Sequence, residues 1–143
     1  MRFAAVIVAA GSGSRAGAGL AKQWRPLGGH AVARWSAEAL ALAGADPLIV
    51  VIPAGDGEQA KAALAGIANL KIISGGASRT DSVRNGLAVV PEAVEAVLIH
   101  DAARPFLTQA HIAALLQAVE TADGAVPILP VADTLKRQDD GLS

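Results

Sequence analysis

Short apolar runs, each stopped by glycine, proline or a charge, alternate along this chain with segments of helical spacing. Residues 2–8, 48–52, 70–73 and 94–99 are rich in Val, Ile, Leu and Ala and carry little polar alternation. That is the pattern of strands covered on both faces in a parallel sheet. Residues 31–42 have helical spacing, with Val32, Trp35, Ala39 and Leu42 near one face and Gly44 ending the helix. On that stripe Trp35 reads as a core residue, not as a ring for stacking a ligand. Residues 58–64 predict a short Ala-rich helix. Residues 79–89 predict another, opened by the turn Ser74-Gly75-Gly76-Ala77-Ser78, and Thr108 is placed to cap a helix over 109–122. Residues 125–131 predict a fifth strand. Pro127 and Pro130 lack the N–H that a central ladder needs, so this segment is expected to be irregular or near an edge.

Strands alternating with helices predict a three-layer α/β fold with a mainly parallel sheet. Ligands then sit at the carboxyl ends of the strands. The loops at 9–22, 75–82 and 100–105 fall there, and they hold the glycines and charges that could do chemistry. The first belongs to a longer stretch, 9–29, which contains Gly11, Gly13, Gly17, Gly19, Pro26, Gly28 and Gly29 and shows no clean helical period. A connection of that length is usually functional or disordered.

Composition narrows the classes. The chain has 143 residues, 52% of them apolar and 3% aromatic, with a net charge of −1. This suits one domain and implies no broad attraction to nucleic acid or to a membrane surface. There is no cysteine, so disulfides, thiolate metal sites and thiol nucleophiles are excluded. No apolar stretch reaches the ~20 residues of a membrane span, and the N-terminal residues lack a signal-peptide pattern. A cytoplasmic protein is expected.

The run Val6-Ile7-Val8-Ala9-Ala10-Gly11-Ser12-Gly13-Ser14-Arg15 empties a buried strand into a glycine-rich loop, with Lys22 a little later. Such a loop presents backbone N–H groups to an anion, and Arg15 and Lys22 add charge where phosphates would sit. Gly11-Ser12-Gly13-Ser14-Arg15-Ala16 matches a relaxed dinucleotide fingerprint. However, Gly17 and Gly19 follow where a helix should open, and no acidic residue ends the second strand. A Walker A triplet is absent. The remaining reading is a loop that wraps a triphosphate. Asp101, at the end of the fourth strand, either holds Mg²⁺ or caps a turn and pairs with Arg104. His100 reads as a satisfied, partly buried histidine.

Taken together, Ala9-Ala10-Gly11-Ser12-Gly13-Ser14-Arg15, Lys22-Gln23, Gly75-Gly76-Ala77-Ser78-Arg79-Thr80-Asp81-Ser82-Val83, His100-Asp101-Ala102-Ala103-Arg104-Pro105 and Asp133-Thr134-Leu135-Lys136 resemble the 2-C-methyl-D-erythritol 4-phosphate cytidylyltransferases. The first motif alone indicates only the wider sugar-phosphate nucleotidyltransferase superfamily. The resemblance implies a Rossmann-like nucleotidyltransferase fold. It also implies that methylerythritol phosphate attacks the α-phosphate of CTP and releases pyrophosphate, a step of the non-mevalonate isoprenoid route. By position, Arg15 and Lys22 would stabilise the charge developing on the triphosphate, and Asp101 would bind Mg²⁺. Ala9, Ala10, Gly76 and Ser82 would enclose the cytosine, with Gly11, Gly13 and Ala102 in the same substrate-binding set. Thr134 would contact methylerythritol phosphate across a homodimer interface. Ala77 stands where the family often has an acidic residue. The family continues past Ser143, so residues 1–143 are expected to be a C-terminally incomplete nucleotidyltransferase domain that turns over CTP poorly. The composition and the run at 21–29 also resemble bifunctional versions fused to a cyclodiphosphate synthase. Competing readings are a nucleotidyltransferase for another alcohol phosphate and a domain that binds CTP without turnover.

Overall fold

The computed structural model describes residues 1–11 and 20–132. Its centre is a parallel sheet built from β1 (Phe3–Val8), β4 (Leu48–Ile52), β5 (Leu70–Ser74) and β6 (Ala96–Asp101), in the order β5-β4-β1-β6. β1 pairs with β4 through Ala5↔Leu48 to Val8↔Val51, and with β6 through Phe3↔Ala96 to Val8↔Asp101. Strand alternation sorts the side chains. Phe3, Ala5, Ile7, Leu48, Val50 and Ile52 form the larger core on one face, and Val6, Ile49 and Val51 fill the other. Burial on both faces is why these runs carry almost no polar residues.

Helices α1 (Val32–Leu42), α2 (Gly57–Ala63) and α4 (Gln109–Ala118) contribute Ala33, Ala37, Leu40, Ala60 and Ile112 to the larger core. Helix α3 (Arg79–Leu87) lies against β1, β4 and β5 on the opposite face. Gly86 permits this: a Cβ there would stand 2.5 Å from Val6 Cγ1. The layers are therefore helix, sheet, helix, as the alternation predicts. No helix among the described residues is long and apolar enough to cross a membrane.

The structure corrects several expectations. The buried stripe of α1 is Ala33, Ser36, Ala37 and Leu40, not Val32, Trp35, Ala39 and Leu42. Small residues face the sheet so that the helix can approach it, and Leu42 is left 79% exposed. Trp35 is 37% exposed and is not a core residue. Its ring meets His30 edge-on at 5.6 Å, and its Nε1–H donates to the Leu27 carbonyl at 2.9 Å. Both partners belong to a hairpin, β2 (Pro26–Leu27) and β3 (His30–Ala31), turned by Gly28 and Gly29 at φ 59° and 88°. Gly44 does end α1: its N–H bonds the Ala41 carbonyl and the Ala45 N–H bonds that of Leu40. With Gly44 at φ 92°, this is a Schellman cap.

Thr108 caps α4 by accepting from the His111 N–H at 3.2 Å. The helix ends at Ala118, four positions before the expected 122. Beyond it Glu120 and Thr121 donate to the carbonyls three residues back, which tightens the turn. No fifth strand forms over 125–131. The two prolines leave that segment irregular, with Val126, Ile128, Leu129 and Val131 between 67% and 88% exposed.

Candidate active site

The chain leaves β1 for α1 on one face of the sheet, whereas β5 leads through α3 on the other face to β6. A crevice opens at the carboxyl ends of strands where connections part in this way. A cavity of about 750 Å³ occupies that place, lined by the ends of β1 and β6, the β5–α3 turn and the turn at Lys22. The ladder continues past the strands and fixes these loops relative to one another. Ala9 N–H bonds the Val51 carbonyl at 2.7 Å, Gly75 N–H that of Ile52 at 2.8 Å, and Ala102 N–H that of Val8 at 3.0 Å.

The β5–α3 turn is shaped by close approach. A Cβ on Gly75 would lie 2.5 Å from Ala10 Cβ and 2.7 Å from Ser82 Oγ, and one on Gly76 would overlap Asp81. Ser82 is buried. Its hydroxyl accepts from the Gly76 N–H at 3.1 Å and donates to the Ser78 carbonyl at 3.0 Å, so it holds the turn against the helix. Ser78 caps α3, and the cap is reciprocal: Asp81 N–H donates to Ser78 Oγ, and Asp81 Oδ2 accepts from Ser78 N–H. The Ser-x-x-Asp spacing was the available signal for that role of Asp81.

Among the described residues the charged lining is three cations, Lys22, Arg79 and Arg104, against one carboxylate, Asp101. Arg79 reaches Asp101 Oδ1 with Nη2 at 2.8 Å and Nε at 3.1 Å, and Arg104 Nε lies 3.3 Å from Oδ2. The alternative in which Asp101 pairs with Arg104 is thus realised, and Arg79 joins it. Arg79 was not singled out from sequence, because its reach spans 22 positions. His100 is half-buried, with Nε2 2.9 Å from the Arg104 carbonyl, which makes it the satisfied histidine expected. Burial pushes its imidazole below the ordinary range, against the opposing pull of that carbonyl and of Asp101, while the Arg104 charge acts with burial.

Of the residues singled out from sequence, the structure brings Ala9, Ala10, Gly11, Lys22, Gly76, Ser82, Asp101 and Ala102 to this cavity. Arg15, Gly13 and Thr134 lie outside the described residues. Among the described residues no group of three or more His, Cys, Asp or Glu could hold a metal ion unaided. One carboxylate fits a cation that brings its own phosphate oxygens.

Residues 3–142 match the family model for IspD, 2-C-methyl-D-erythritol 4-phosphate cytidylyltransferase. The chain belongs to this family. Within it, the "Bifunctional enzyme IspD/IspF" of Caulobacter vibrioides strain NA1000 is 54% identical over 144 residues, which are 99% of this chain and 37% of that protein. A 2-C-methyl-D-erythritol 4-phosphate cytidylyltransferase of Cereibacter sphaeroides strain ATCC 17029 is 48% identical, over 99% of this chain and 64% of its own length. The chain therefore spans between about a third and two thirds of the length of these relatives. The crystal structure of 4-diphosphocytidyl-2C-methyl-D-erythritol synthase from Anaerococcus prevotii superposes with a TM-score of 0.84 at 26% identity, covering 97% of this chain and 60% of that one. The sheet and its flanking helices are those of the Rossmann-like nucleotidyltransferases.

Proposed function

We propose that this chain carries the CTP-binding part of a cytidylyltransferase that transfers a cytidylyl group to 2-C-methyl-D-erythritol 4-phosphate and releases pyrophosphate. The observation that carries the reading is the crevice itself. Three loops, drawn together at the point where the connections part, set a surplus of positive charge beside small, closely packed residues. Membership of the family supports CTP as the nucleotide and methylerythritol phosphate as the acceptor.

In this reading the amides at Ala10 and Gly11 and the Lys22 ammonium receive the triphosphate. Arg15 and Gly13 join them from outside the described residues. Ala9, Ala10, Gly76 and Ser82 enclose the cytosine, with Gly75 shaping the turn and Ala102 in the same substrate-binding set. Charge builds on the phosphate oxygens as the acceptor attacks, and fixed cations stabilise it without a proton shuttle. Asp101 would hold Mg²⁺ together with phosphate oxygens, and the cation would neutralise part of the same charge. Thr134 would contact the acceptor phosphate in a homodimer. A nucleotide-consuming reaction of this kind supports a cytoplasmic setting.

Calorimetric titration with CTP and with GTP in the presence of Mg²⁺ tests the proposal, together with an assay of pyrophosphate release. CTP is expected to bind more tightly than GTP. Lys22→Ala should weaken CTP binding about tenfold or more, the loss of one charge-assisted contact. Equal affinity for the two nucleotides, or unchanged binding in Lys22→Ala, would sink the reading.

A further inference from the structure

Gln23 is a buried polar residue at the cavity, and the proposed reaction gives it no part. It is 4% exposed, and its carboxamide Nε2 donates to the Ala9 carbonyl at 2.8 Å and to the Gly11 carbonyl at 3.3 Å. A primary amide nitrogen has two hydrogens, and both are used here. The carbonyls it holds belong to the residues on either side of Ala10, at the mouth of β1. A carbonyl oxygen engaged in this way is not turned toward an incoming anion. The neighbouring N–H groups are then what β1 offers to the cavity.

Gln23 also follows Lys22 directly in a turn anchored elsewhere. The 3₁₀ turn Lys22–Trp24 closes through Trp24 N–H to the Ala21 carbonyl at 2.9 Å. The Trp24 indole donates to Asp56 Oδ2 at 2.7 Å. Gln23 is therefore a strut between two pieces of chain 14 positions apart: one presents main-chain donors and the other presents an ammonium.

We propose that Gln23 is a positioning residue for the triphosphate, fixing the mouth of β1 and the Lys22 turn in the single arrangement that brings their donors to one anion. The inference rests on the nucleotide reading above, and its larger effect falls on the phosphates, which meet Lys22 and the Gly11 amide, although Ala9 also borders the base. Gln23→Met keeps the length of the side chain and removes both donors.

NMR titrations of the full 143-residue chain with cytidine, CTP and inorganic tripolyphosphate test it. In Gln23→Met the affinities for CTP and tripolyphosphate should fall about tenfold or more, while that for cytidine changes less than about twofold. Gln23→Asn, one methylene shorter, should give a smaller loss in the same order. It carries the test if the methionine variant does not fold. In the ligand-free protein the amide resonances of Ala10, Gly11 and Lys22 should shift in either variant. Equal losses for cytidine and CTP would show a merely structural role and overturn the proposal, as would unchanged phosphate affinity or unmoved amide resonances. If the wild type bound tripolyphosphate but not CTP, the nucleotide reading alone would fail.

Discussion

Gly75 sets how closely the β5–α3 turn approaches the end of β1. An added Cβ would fall 2.5 Å from Ala10 Cβ, 2.7 Å from Ser82 Oγ and 3.4 Å from the Ile52 carbonyl oxygen, and two of these three neighbours line the cavity. Gly75→Ala should destabilise the fold by about 1–3 kcal/mol in urea unfolding, the range for overpacking, and should weaken CTP binding as the turn retreats. Gly57→Ala is the control. Nothing lies within 4 Å of a Cβ there and the residue opens α2, so no loss is expected. Equal stability of Gly75→Ala and wild type would show that the turn is free to move. At this scale the sequence was readable where partners are neighbours. Asp101 and Arg104 stand three apart, and their pairing was one of the two readings offered. Gln23 and Arg79 act over 14 and 22 positions, and no local spacing announces such contacts. Trp35 was misplaced for a different reason. Periodicity finds an apolar stripe but does not say that alanines will take the sheet side.

The contact of α3 with the sheet depends on Gly86, the last residue but one of the helix. Alanine there would gain about 1 kcal/mol of intrinsic helix preference. However, its Cβ would stand 2.5 Å from Val6 Cγ1 and 3.3 Å from Val51 Cγ2, in the smaller of the two cores. Overpacking at about 1–3 kcal/mol exceeds that gain. Gly86→Ala should therefore lower the melting temperature, and Gly86→Val should lower it further. A more stable Gly86→Ala would mean that α3 lies farther from β1 than described. β1 and β4 were legible because burial on both faces leaves a run with few polar residues, β5 and β6 are apolar runs only partly buried, and the observed bounds of all four differ from the expected ones by at most two residues. The β2–β3 hairpin was not seen. Strands of two residues leave no periodic trace, and the Gly28-Gly29 signal for a tight turn lay inside a stretch already read as one long loop.

For the molecule as a whole, the position of the crevice follows from topology. β1 is the hinge of the arrangement, pairing with β4 on one side and β6 on the other. The connections on its two sides cover opposite faces, so the strand ends nearest β1 are left open. This much could be expected from alternating strands and helices: Ala9, Ala10, Gly11 and Lys22 of the first loop, and parts of those at 75–82 and 100–105, do line the crevice. What alternation could not supply was the order of the strands or the balance of charge in the crevice, since both arise from residues far apart in the chain. CTP is expected to occupy this crevice with its triphosphate at the mouth of β1. The structure of the chain crystallised with CTP and Mg²⁺ tests it most directly. The triphosphate should lie within hydrogen-bond distance of the Ala10 and Gly11 amides and of Lys22 Nζ, with the cytosine against Gly76 and Ser82. A nucleotide bound elsewhere, or bound here with its phosphates turned away from Lys22, would contradict the account.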